Sequence, residues 1–140
     1  MGECNGNQAK RFLVDKVAFT NPDEVRNYIL PLMMGLEREE FWMILLDTKH
    51  HVIEIEVLFY GSINSASVYP REVVKTALKH NAAAVVLCHN HPSGDAVASR
   101  ADKNMTTRIK NALSTVEIDT LDHLVYGTGS FYSFAEHNLI

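Results

Sequence analysis

Ala82-Ala83-Ala84-Val85-Val86-Leu87-Cys88-His89-Asn90-His91-Pro92-Ser93-Gly94-Asp95, followed by Ser99-Arg100-Ala101-Asp102, reads as a buried strand, a turn and the first turn of a helix. The run from Ala82 to Cys88 is apolar throughout, which marks a strand covered on both faces. Pro92-Ser93-Gly94-Asp95 has turn chemistry, and Ser99 with a carboxylate three residues on is a helix N-cap pattern. The strand delivers two imidazoles at its C-terminal end. Residues i and i+2 of an extended strand share a face, so His89 and His91 can reach one point in space. Two histidines and a carboxylate, with one position left for water, form the open ligand set of a catalytic zinc. The ligands predicted here are His89, His91 and Asp102.

Each piece has a plainer explanation. Ser99 and Asp102 alone would be taken for a cap, and a single histidine at a strand end for a solvated residue. All four residues at their offsets are rarer: at this chain's own residue frequencies a chance match is roughly one in a thousand. Capping and metal binding are also compatible, because a carboxylate in a first helical turn can do both. Two other metal chemistries fail on spacing. The adjacent letters of His89-Asn90-His91 are not the dispersed residues of an HNH nuclease. A zinc nucleobase deaminase needs a P-C-x-x-C pair that Cys4 and Cys88 cannot make.

Outward from this stretch, strands and helices alternate. Asn21-Pro22-Asp23-Glu24 opens a helix with a cap, an N1 proline and an acidic first turn. Val25, Tyr28, Ile29, Leu32 and Met33 share one face of it, Pro31 is predicted to bend or shorten it, and Gly35 to stop it. Phe41 to Leu46 is a second wholly apolar strand. Asp47-Thr48-Lys49 turns it back into His51 to Phe59, where Ile53, Ile55, Val57 and Phe59 alternate with Glu54 and Glu56. Another helix starts at Pro70, with Val73, Val74, Ala77 and Leu78 predicted inward and Asn81 closing it. The helix capped by Ser99 carries the stripe Ala101, Met105, Ile109, Ala112, Leu113 and Val116. A last hairpin joins Leu121–Tyr126 to Phe131–Phe134. Residues 1–10 read as a flexible tail and residues 11–140 as one α/β domain, a mixed central sheet with flanking helices.

Composition bounds the function. A chain of 140 residues, 46% hydrophobic and 21% charged, buries a core without disulfide staples. Two cysteines 84 positions apart are no disulfide framework, and no signal or membrane-spanning segment is read, so a reducing cytoplasm is expected. A net charge of −4 argues against independent DNA binding, the best basic patches being Lys10-Arg11 and Lys103 to Lys110.

The spacing H-x-H-x7-S-x-x-D resembles that of the JAMM/MPN (JAB) metalloproteases, and the wording His89-Asn90-His91-Pro92-Ser93-Gly94-Asp95 resembles their RadC-like branch. Further pieces resembling that branch are Phe41 to Lys49, Asn64-Ser65-Ala66-Ser67, Pro70 to Lys75 and Leu121-Asp122-His123-Leu124. The resemblance implies a JAB/MPN, cytidine-deaminase-like architecture. It implies a zinc-dependent hydrolase that attacks a peptide or isopeptide amide. It also implies a glutamate base before the first buried strand and an oxyanion-steadying role for Ser99. Glu37, Glu39 and Glu40 stand in that place. Glu39, two residues before Phe41, matches the family pattern, with Glu40 as the alternative on the opposite face of the strand. His123 could lie beside the metal ligands or simply face core or solvent. His80 and His137 are given no role.

The chain departs from longer RadC-like proteins in having no room for their N-terminal helix-hairpin-helix region. It resembles the short members found on mobile elements, or a piece of a longer protein, so a DNA-repair role is only weakly implied. The competing function is a non-catalytic accessory or partner-binding domain in DNA repair or recombination. A metal-dependent nuclease ranks last, since such sites favour oxygen ligands over a histidine pair.

Overall fold

The computed structural model describes residues 17–61, 68–92, 94 and 98–140. The predicted tail, residues 62–67, residue 93 and residues 95–97 lie outside them. Among the described residues eight elements follow in order: α1 (Pro22–Met34), β1 (Glu40–Leu46), β2 (Val52–Tyr60), α2 (Pro70–Lys79), β3 (Ala84–Asn90), α3 (Arg100–Ser114), β4 (Asp119–Gly127) and β5 (Ser130–Ser133). They build one mixed five-stranded sheet in the order β2-β1-β3-β4-β5. Only the β3–β4 pair is parallel, and α3 makes the crossover between them.

The two apolar strands occupy the centre, as continuous hydrophobic runs require. Alternation divides their side chains between two cores. Trp42, Ile44, Leu46, Val86 and Cys88 pack with Ile29 and Met33 of α1 on one face. Phe41, Met43, Leu45, Val85 and Leu87 meet Val73 and Ala77 of α2 and Met105, Ile109 and Leu113 of α3 on the other. The domain is therefore three-layered, with one helix below the sheet and two above it. Cys88 is fully buried on the α1 face, its Sγ 3.8 Å from Met33 Sδ.

Four local expectations are corrected. Pro31 does not shorten α1, which runs on to Met34. Pro31 and Asn27, whose carbonyl loses its intrahelical partner, are both exposed, so water can satisfy that carbonyl. The alternation expected along β2 is broken by register shifts against Phe41/Trp42 and Leu45/Leu46. Ile55 and Val57 consequently join the α1 core, whereas Ile53 and Phe59 join the α2/α3 core. Leu78 of α2 is 53% exposed rather than inward. Ala101 is exposed too, and Asp102 and Thr106 take the buried face of α3 beside Met105 and Ile109. Outside these elements Ala18 makes an isolated antiparallel bridge to His51. Among the described residues no helix is long and apolar enough to cross a membrane.

Candidate metal centre

The parity of β3 determines what its end presents. Val85, Leu87 and His89 share the face covered by α2 and α3, so the His89 ring enters the region where α3 begins. It is fully buried and stacks on Phe41, its partner in register on β1, at 5.6 Å between centroids. His91 follows just past the strand, its N–H donating to the Tyr126 carbonyl at 2.8 Å, and its side chain keeps 16% exposure. The turn beyond it is held by Gly94, whose N–H donates to the His91 carbonyl at 2.9 Å. Gly94 has φ +100°, and a Cβ there would stand 2.7 Å from Thr128 Oγ1, so no other residue fits this turn without displacement.

The helix start supplies the carboxylate. Ser99 and Asp102 form a reciprocal capping box: the Asp102 N–H donates to Ser99 Oγ at 3.1 Å, and the Ser99 N–H donates to Asp102 Oδ2 at 2.8 Å. The cap fixes the Asp102 carboxylate rather than competing with its other contacts. Asp102 Oδ1 lies 3.1 Å from His89 Nε2, Asp102 Oδ2 lies 3.2 Å from His91 Nε2, and the two imidazole nitrogens are 3.0 Å apart. Four-coordinate zinc holds ligands at 2.0–2.1 Å, which places neighbouring ligand atoms about 3.3 Å from one another. The two imidazole nitrogens stand close to that spacing and each meets a different Asp102 oxygen, so His89, His91 and Asp102 are near enough to one another to be candidate zinc ligands.

A second carboxylate stands close. The ligand atoms of Glu39, His89 and His91 all lie within 4.8 Å of one another. Two acids thus approach the histidine pair. Asp102 is almost fully buried and in direct contact with both rings, and Glu39 is only partly buried. Glu40 is turned the other way, accepting the Trp42 indole N–H at 2.9 Å in the α1 layer. Alternation along the chain is the reason, since Glu39 has the parity of Phe41 and Glu40 that of Trp42.

Burial pushes the Asp102 carboxyl upward, but hydrogen bonds from His89 and His91, the His89 charge and the Ser99 N–H outweigh it. The group is held well below the usual carboxylate range. His89 is lowered from its ordinary value, chiefly by burial, against the opposing pull of Asp102. An ionised carboxylate is the form of Asp102 that binds a metal ion.

Two features of the site lie outside the candidate ligands. Asn90, between the two histidines, reaches across to the strand entry and straddles Glu39. Its Oδ1 accepts the Glu40 N–H at 2.8 Å and its Nδ2 donates to the Arg38 carbonyl at 3.0 Å. On the β2 side the Gly61 N–H donates to the Glu39 carbonyl at 2.7 Å. The backbone that carries Glu39 is therefore pinned from both flanks. Asn90→Ala removes the partner of the buried Glu40 N–H and of the part-buried Arg38 carbonyl, and the expected cost is about 2 kcal/mol in urea unfolding. Zinc binding is expected to persist, because none of the candidate donors changes.

The other feature is behind His89. His123 of β4 is fully buried, its Nε2 2.8 Å from His89 Nδ1, and its Nδ1 is hydrogen-bonded to Thr106 Oγ1. His123 therefore faces the metal-side core, not solvent. Thr106 gave no signal in the sequence. His80 instead pairs with Glu56 at 2.8 Å, and His137 stacks on Tyr132; both lie apart from this cluster.

A family model described as RadC-like JAB domain matches residues 19–139. The UPF0758 protein YfjY of Escherichia coli (strain K12) is 53% identical over 124 residues, covering 89% of this chain and 78% of that protein. A UPF0758 protein of Pseudoalteromonas translucida (strain TAC 125) is 52% identical over 122 residues, 87% of this chain and 54% of its own length. One from Vibrio cholerae serotype O1 (strain M66-2) is 52% identical over 123 residues, with 88% and 55% covered. The chain spans about half the length of these last two relatives.

Proposed function

The chain belongs to the RadC-like JAB domain family, and on that premise we propose that it is a zinc-dependent hydrolase of peptide or isopeptide amides. The observation that carries this is the convergence of His89, His91 and Asp102 at 3.0–3.2 Å, with Glu39 beside them. These three residues would hold the ion. When bound, zinc supplies a Lewis acid that lowers the pKa of water from 15.7 to about 7 and polarises a carbonyl.

The remaining tasks fall to the chain. Glu39 is the general base that takes a proton from the attacking water and returns it to the leaving amine, so that one C–O bond forms and the C–N bond breaks. Its partly buried place beside the histidines suits it to reach both water and substrate. Ser99 Oγ accepts the Asp102 N–H and keeps its own proton to donate, which suits it to steady the developing oxyanion. Asp102 stays ionised throughout, held by His89, His91 and the Ser99 N–H.

The test is cleavage of extended peptides and isopeptide-linked conjugates by zinc-loaded protein, followed by mass spectrometry, with Glu39→Gln beside wild type. The expected result is chelator-sensitive cleavage that drops by about 10² to 10⁴-fold in Glu39→Gln while the zinc content stays the same. Cleavage that survives the chelator or the substitution overturns the mechanism. Bound zinc without cleavage of any amide overturns the hydrolase function and favours the accessory role.

A further inference from the structure

Glu39 stands where the sheet has run out. β1 begins at Glu40, the backbone bends at Glu37 and Arg38, and the pairing of β1 with β3 ends at Phe41 and His89. The ladder with β2 stops at Glu40 and Tyr60. Neither ladder reaches Glu39, whose carbonyl is met from the β2 side by the Gly61 N–H at 2.7 Å. On the β3 side a side chain takes the place of a neighbouring strand. Asn90 is the last residue of β3, buried, and its backbone is paired in register with Tyr126 of β4. Its amide turns toward the β1 entry, where Oδ1 accepts the Glu40 N–H at 2.8 Å and Nδ2 donates to the Arg38 carbonyl at 3.0 Å. An antiparallel neighbour grips a residue through the same two groups, the carbonyl before it and the N–H after it. The partners also fix which way the amide faces, because a flip would oppose two donors and two acceptors.

We propose that Asn90 is a positioning residue for the general base: its side-chain amide replaces the missing strand neighbour and holds the Glu39 backbone, so that the carboxylate stays on the histidine side. The proposal rests on the role assigned above to Glu39 and extends it to a residue that is neither ligand nor base. Three consecutive residues at the end of β3 thereby serve one centre. His89 and His91 turn their imidazoles to Asp102, and Asn90 between them reaches the backbone on either side of the base. Both bonds require an amide. An ionised Asp has no donor for the Arg38 carbonyl, and an apolar side chain serves neither group. Displacing a reacting group by about 1 Å can cost on the order of 100-fold in rate.

Two readouts on wild type, Asn90→Ala and Asn90→Leu test it, the leucine keeping the branched shape without the amide. The first needs neither metal nor substrate: hydrogen exchange of the Glu40 amide and the three-bond HN–Hα coupling of Glu39, both by NMR. Wild type is expected to show a protected Glu40 amide and one fixed Glu39 backbone conformer. Both variants are expected to lose that protection, with the Glu39 coupling shifting toward a conformational average. The second readout is kinetic, on zinc-loaded protein. In both variants kcat is expected to fall by up to about 100-fold, while KM and zinc content hold. In a Glu39→Gln background the same substitutions are expected to lower kcat no further, because the group they act through is already gone. A merely structural asparagine would add its own loss to that of Glu39→Gln, and that outcome overturns the proposal. So does an Asn90→Leu protein with wild-type kcat. An unprotected Glu40 amide in wild type overturns it without any variant having to fold. If wild type cleaves no amide, the hydrolase function fails separately, and the NMR readouts still decide whether Asn90 holds the Glu39 backbone.

Discussion

Asp102→Asn is expected to take the protein from about one zinc per chain to none after dialysis against a non-chelating buffer. Asn keeps the size of the side chain and can still accept the Ser99 N–H that completes the cap, so α3 should begin where it does now. What disappears is the negative charge that lies within 3.1–3.2 Å of both imidazole nitrogens. A neutral amide oxygen is a poor substitute in a buried site. The expected loss of affinity therefore exceeds the roughly 100-fold upper end for residues that only support a ligand. Elemental analysis of wild type, Asp102→Asn and Glu39→Gln, each with a circular dichroism spectrum to show that it is folded, gives the answer. Two carboxylates approach the histidine pair, so the experiment separates their roles. Zinc kept in Asp102→Asn and lost in Glu39→Gln would make Glu39 the third ligand. It would also return Ser99 and Asp102 to capping alone.

How far this site could be read beforehand follows from where its information is stored. His89, His91, Ser99 and Asp102 sit at fixed offsets on a strand and a helix start, and strand parity and cap geometry carry those offsets into space unchanged. Parity set Glu39 and Glu40 on opposite faces, as the structure has them, but the choice of Glu39 came from the family resemblance. The apolar runs Phe41–Leu46 and Ala82–Cys88 likewise announced a sheet covered on both sides. Features that depend on non-local contacts left no such trace. The β2 bulges arise from pairing with β1, and no residue type in Val52–Tyr60 marks them, so Ile53 and Ile55 were expected on one face and are found in different cores. Thr106 looks like any polar residue of a helix until β4 brings His123 against it. Asn90 resembles a spacer between two histidines, and its role exists only because Arg38 and Glu40 are held across the sheet. Pro31 is the reverse case: its local rule was sound, but an exposed carbonyl removed the penalty.

The metal-free protein is expected to lose stability steeply as the pH falls from about 7 to 5. His89 and His123 are both fully buried, and burial leads the causes that lower their pKa, by a wide margin for His123. In the unfolded chain each titrates near 6.5. Below that value the unfolded state binds protons that the native state refuses, so ν_U exceeds ν_N and the unfolding free energy rises with pH. The loss therefore runs in the acid direction, beginning near pH 6.5 and continuing down to the folded-state values. Each histidine contributes a slope of up to about 1.4 kcal/mol per pH unit, and the two together about 2 to 3. Asp102 acts in the same direction but lower down. Its folded pKa is depressed, so its contribution is present above about pH 4 and is lost as the pH falls further. The window between pH 7 and 5 accordingly reports the two histidines and not the carboxylate. Urea unfolding of chelator-treated protein at pH 7.5, 6.5 and 5.5 measures it, with the midpoint expected to fall at each step below 7 and at constant m. A midpoint that stays level across those values would mean that His89 and His123 already hold protons in the native state. Zinc would then have to displace the His89 proton in order to bind.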